Sequence, residues 1–224
     1  MKYLLAFLLL FNGALSAQPV TQELADAAIK KLSSILDTHP DPLVSVDLKK
    51  WAQEGKVAFA QNNLYPALSS SAERTVKGEQ ILLWYDPFYI LDPPFTNDPA
   101  EKLAYLQLEV YHEAVYISEH IHGRYKLQAM KERSTGPPLF EAEKMWKIEW
   151  TVMQGKWQLA KKLGVPHLLP SIYAATRAND TPRSFLEGFY RLRMENEARV
   201  EPALGPYFTA IYEREKAKIS FVFK

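Results

Sequence analysis

Between Asp98 and Gly123 the chain leaves little choice of conformation. Asp98 is a good N-cap, Pro99 suits the first helical turn, and Glu101 completes a variant of the capping box. Gly123 is a natural C-cap. The helix so bounded carries Glu109-Val-Tyr-His112-Glu113-Ala-Val-Tyr116-Ile-Ser-Glu119-His120-Ile-His122. Three of the chain's five histidines and three acidic residues therefore fall in this one stretch, with apolar residues filling the gaps. At about 100° per residue, Glu109, His112, Glu113 and Tyr116 stack on one face over two turns.

The surrounding pattern predicts a mainly α fold (α+β), with one or two short strands just before this central helix. Leu24, Ala28, Leu32, Ile35 and Leu36 give helical spacing over 21–37, ended by Pro40 and Pro42. A second helix is expected over 47–62, carrying Trp51, Val57 and Phe59 toward the core. Residues 64–78, with Pro66 and a serine cluster, read as loop, and Gln80-Ile-Leu-Leu-Trp-Tyr85 as the best strand, closed by Asp86-Pro87. Phe88 to Phe95 reads as extended chain that cannot be a central strand, because of Pro93 and Pro94. After a loop at 133–138, a long helix over 139–163 carries Glu141, Glu143, Trp146, Trp150 and Trp157 and stops at Gly164 and Pro166. Further helices are expected over 181–200 and 205–218, with Ser220 to Phe223 as a short tail strand or docking segment. Trp and Tyr recur on both long helices, which are expected to pack together and bring Glu141 and Glu143 toward the Glu109–His120 stripe.

At the start, Lys2 precedes an apolar run from Tyr3 to Phe11, then Gly13 and small residues to Ala17. This is the pattern of a secretory signal peptide over 1–17, with one mainly helical domain over 18–224 and a periplasmic or secreted location. The run is too short for a permanent membrane anchor. Formal charge is +1 with no basic block, which argues against nucleic acid and leaves an unidentified protein or peptide as the expected partner. There is no cysteine, so thiolate metal sites, a Cys nucleophile and disulfides are all excluded. Ser69-Ser70-Ser71 lacks a Gly-x-Ser-x-Gly elbow and supports no serine nucleophile.

His112-Glu113 is the first half of His-Glu-x-x-His, in which two imidazoles one turn apart hold zinc and the Glu is the general base. Tyr116 stands where the second histidine belongs, and a phenol is a poor zinc ligand near neutral pH. His120 is about 12 Å from His112 along the axis and cannot share its metal. The order of strand, Pro-rich segment, His-Glu helix, loop and acidic helix start, over 81–163, resembles the gluzincin branch of zinc metallopeptidases. It looks like small exported bacterial members, whose third ligand is a Glu in a later helix. The resemblance implies a zincin-like fold, His112 as first ligand, Glu113 as general base, and Glu143, or else Glu141, as third ligand. With Tyr116 in place, it implies a degenerate member holding no zinc or only weakly bound zinc, with the scaffold kept as a binding surface.

Three alternatives stand beside that reading. An active metal-dependent hydrolase would use His112, Glu113 and Glu143, with Glu109 or a remote residue as a further ligand. Glu109-x-x-His112 also fits di-iron helical bundles, but the second Glu-x-x-His they need is missing. Blandest is a structural or interaction protein whose stripe is internal polar packing, with Glu109/Glu113 and His112/Tyr116 meeting at i,i+4. His120 and His122 are then helix-end cations, and His39 and His167 lone loop histidines without a visible partner.

Overall fold

The computed structural model describes residues 20–61, 72–74, 80–93, 96–127, 139–169, 181–200 and 202–223. The stretch expected as a signal peptide lies outside the described residues, as do the loop expected at 133–138 and most of 64–78. The fold is mainly helical, as the periodicity predicts, with a small sheet ahead of the central helix. The chain divides into two compact units, Met1–Gly136 and Pro137–Lys224. The expected pairing of the two long helices spans these units, each of which is described by itself.

The first unit opens with helix α1 (Gln22–Thr38), whose Thr21 hydroxyl accepts the Leu24 N–H. A six-residue π-helical turn (Leu43–Leu48) runs straight into the short helix α2 (Lys49–Gln53). Strands β1 (Val57–Gln61), β2 (Ala72–Arg74) and β3 (Ile81–Tyr85) form one sheet in the order β1-β3-β2. β3 is central, parallel to β1 with Phe59 opposite Leu83, and antiparallel to β2 with Ala72 opposite Leu83. Helix α3 (Pro87–Leu91) and helix α4 (Pro99–Ile121) follow.

Three expectations are corrected here. The helix expected over 47–62 stops at Gln53, because Gly55, at φ +70°, turns the chain and Val57 to Gln61 then pairs with β3. Trp51 and Val57 are buried as expected, the latter from a strand. Residues 72–74, expected as loop, are a strand because β3 offers them an edge. The segment after Asp86, expected as extended, forms α3: the Asp86 carboxylate accepts the Phe88 N–H at 2.9 Å and Pro87 occupies the first turn. Of the extended reading, Pro94 and Phe95 lie outside the described residues.

α4 starts and stops where its caps predict. Asp98 accepts the Ala100 N–H at 2.8 Å. Thr96 stands between the two members of the box: its hydroxyl donates to Glu101 at 2.5 Å and accepts the Asp98 N–H at 3.2 Å. At the far end Gly123, at φ +70°, closes a Schellman motif, with Arg124 N–H on the Glu119 carbonyl and Gly123 N–H on that of His120, both 2.9 Å. A Cβ on Gly123 would meet nothing within 4 Å, so Gly123→Ala isolates the backbone cost. That variant is expected to lose about 1–2 kcal/mol in urea melts; an unchanged midpoint would show that the αL conformation is not needed there.

Apolar residues surround α4 almost completely, with Leu106, Leu108, Val110, Ala114 and Ile117 all at 0 % exposure. The first unit's core runs from Leu32, Ile35 and Leu48 through Ile81, Leu83 and Ile90 to this helix. α4 packs on the π-helical turn and α1, and α1 packs on α3.

Among its described residues the second unit has three α-helices. They are α5 (Leu139–Lys162), α6 (Pro182–Val200) and α7 (Gly205–Val222), with α6 and α7 forming a hairpin through a short 3-10 turn at Pro202–Leu204. α5 packs on α7. The expected tail strand at Ser220 to Phe223 is a correction: α7 continues through Val222, where the Ser220 hydroxyl donates to Glu187 of α6 at 2.7 Å. Trp146, Val152, Met153, Leu186 and Ile219 form its interior. Among the described residues, no helix is long and apolar enough to cross a membrane.

Candidate functional site

The stripe read from the sequence exists as a row along α4, and burial sorts its members. Glu109 (2 % exposed) and Glu113 (4 %) are buried, whereas His112 and Tyr116 sit half-buried at its rim. The imidazole of His112 stacks on the Tyr116 ring, with centroids 5.6 Å apart and planes at 26°. Tyr116 in turn meets Tyr125 edge-on at 5.9 Å, so the i+4 position is packed into an aromatic run. Glu113, expected as the general base, is turned from solvent.

The stripe extends further toward the N-terminus than the histidines suggest. Tyr105, one turn before Glu109, lies against Tyr89 of α3, ring centroids 6.2 Å apart. Burial, then the neighbouring Tyr105 and Glu109, hold the Tyr89 phenol far above the ordinary tyrosine range. Tyr89 is therefore a neutral hydroxyl at any physiological pH. The i−4 spacing of Tyr105 from Glu109 was visible in the sequence; the approach of Tyr89 was not, because it depends on α3.

At the other end, His120 does more than sit at the helix end. Its Nδ1 lies 3.1 Å from the Leu127 N–H and 3.2 Å from the Tyr125 carbonyl, so the ring ties down the chain leaving the helix. Arg124 donates to Glu119 from Nε at 2.8 Å and from Nη2 at 2.7 Å. His122 is exposed at the C-cap, its ring edge-on to Trp51 at 6.0 Å. His39, expected as a lone loop histidine, is instead buried and bonded at both ring nitrogens.

Zinc chemistry needs three protein ligands converging on one point. Among the described residues, no three His, Asp or Glu side chains are grouped to hold a metal. Glu109, His112 and Glu113 thus do not form a complete donor set with one another. The side chains of Glu141 and Glu143 lie outside the described residues, although the backbone at both positions is helical as expected.

The chain matches no protein-family model, no curated protein and no solved structure.

Proposed function

We propose that this is an exported, mainly helical protein with a zincin-like central helix and a degraded zinc motif. It works as a binding scaffold for a protein or peptide and not as an efficient peptidase. The observation that carries the reading is the stack of Tyr116 on His112. In His-Glu-x-x-His the residue four after the first histidine turns a second imidazole to the same ion. Here that position presents a phenol ring whose contacts, at 5.6 and 5.9 Å, are with other rings. The burial of Glu113 supports the same reading.

Metal content of the purified mature protein tests it. Wild type should carry little zinc and cleave no peptide above background. Tyr116→His rebuilds the spacing and should bring binding close to one zinc per chain, lost again when Glu143→Ala is added and kept better with Glu141→Ala. Stoichiometric zinc in wild type, removed by His112→Ala, would instead establish the active hydrolase. A Tyr116→His protein that binds no more zinc than wild type would leave a structural protein whose stripe is helix packing.

A further inference from the structure

His39 follows the last residue of α1 and is only 5 % exposed. Its Nε2 lies 2.8 Å from the main-chain carbonyl of Gln107 on α4, and its Nδ1 lies 3.1 Å from the Asp41 N–H. A carbonyl can only accept and an amide N–H can only donate. The ring must therefore be neutral, with its proton on Nε2 and a lone pair on Nδ1. Asp41 passes the connection on. Its carboxylate accepts the Leu43 N–H at 2.9 Å, and its carbonyl accepts the N–H groups of Val44 and Ser45 at 3.1 Å each. These bonds begin the π-helical turn Leu43–Leu48, a conformation that is rare and persists where its surroundings hold it.

We propose that His39 is an acid-sensitive latch: protonation of Nδ1 sets an N–H against the Asp41 N–H and releases the segment from Pro40 to Leu48 from α4. The new N–H draws on the Asp41 carboxylate that holds the Leu43 N–H, which loosens the start of the π-helical turn. Asp41 is the charged group that faces the ring, and it also acts on Tyr111, one turn after Gln107 on α4. Tyr111 stays neutral, its phenol pushed up by burial and then by Asp41. The exposed Lys49–Asp37 ion pair flanks the segment.

The direction follows from the same geometry. Burial holds the ring below the ordinary histidine pKa, against the opposing pull of its Gln107 bond and of Asp41. The closed segment thus binds its proton less readily than the open one. Closure is at full strength above about pH 6.5, weakens as pH falls from there toward the folded pKa, and levels off below it.

The test uses the full mature chain. Nitrogen-15 NMR of the histidine rings reports tautomer and titration, and amide exchange reports protection factors corrected for intrinsic rates. Expected is a neutral Nε2–H ring titrating below about pH 6.5, with protection at Leu43, Val44 and Ser45 falling about tenfold for each pH unit of that depression. Val110 in the middle of α4 should keep its protection. In His39→Gln the three amides should lose their pH dependence. An Nδ1–H tautomer, unchanged protection while the ring titrates, or the same loss in His39→Gln would each overturn the latch. Should His39→Gln not fold, the wild-type tautomer and protection data decide the matter alone.

Discussion

Trp146→Ala is expected to cost about 3–5 kcal/mol, the range for truncating a large buried aromatic. The indole is 1 % exposed and stands edge-on to Tyr190 of α6, ring centroids 4.8 Å apart at 79°. It is the largest fully buried side chain among the described residues, so alanine leaves a void that the α5–α7 helices cannot close without moving their backbones. Trp150, one turn on, also has an edge-on partner, Phe185 at 5.2 Å, but is only half-buried. Trp150→Ala should therefore cost less, under about 2 kcal/mol. Urea melts followed by far-UV circular dichroism measure both. If Trp150→Ala proved the more damaging, the interior of the second unit would be wrongly assigned.

Leu83→Ala should cost about 2–5 kcal/mol in the first unit. Leu83 lies at 0 % exposure in the middle of the central strand, opposite Phe59 on one side and Ala72 on the other. Its neighbour Leu82 points to the opposite face and is half-buried, so Leu82→Ala should cost under about 1 kcal/mol. Equal losses at the two positions would mean that β3 does not alternate, and would contradict both the strand and its register.

What the sequence disclosed depended on whether the deciding information was local. Asp98-Pro99 announced α4, and Gly123 its end, because caps act within one turn. Asp86-Pro87 carries the same start signal and initiates α3 in the same way, but the prolines that follow drew the reading toward extended chain. β1 was misread as helix because Val-Ala-Phe-Ala-Gln acquires its strand character from Ile81 to Tyr85, which local patterning does not reveal. The site divides in the same way. The i,i+4 stripe from Glu109 to Tyr116 was legible, since a helix fixes which of its own residues align. Which members are buried, the approach of Tyr89 and the bond from His39 to Gln107 all come from other elements.

The distance along the chain between those elements bears on how the protein reaches its folded state. Two hydrogen bonds that tie down α1 and its exit, from Lys31 to the Leu91 carbonyl and from His39 to that of Gln107, span 60 and 68 residues. β1 and β2 likewise wait for the central strand, which follows both in the chain, before either can pair. During synthesis, the apolar face of α1 emerges well before α3 and α4, which pack on it. The first unit is thus built to stay open until α4 has been made.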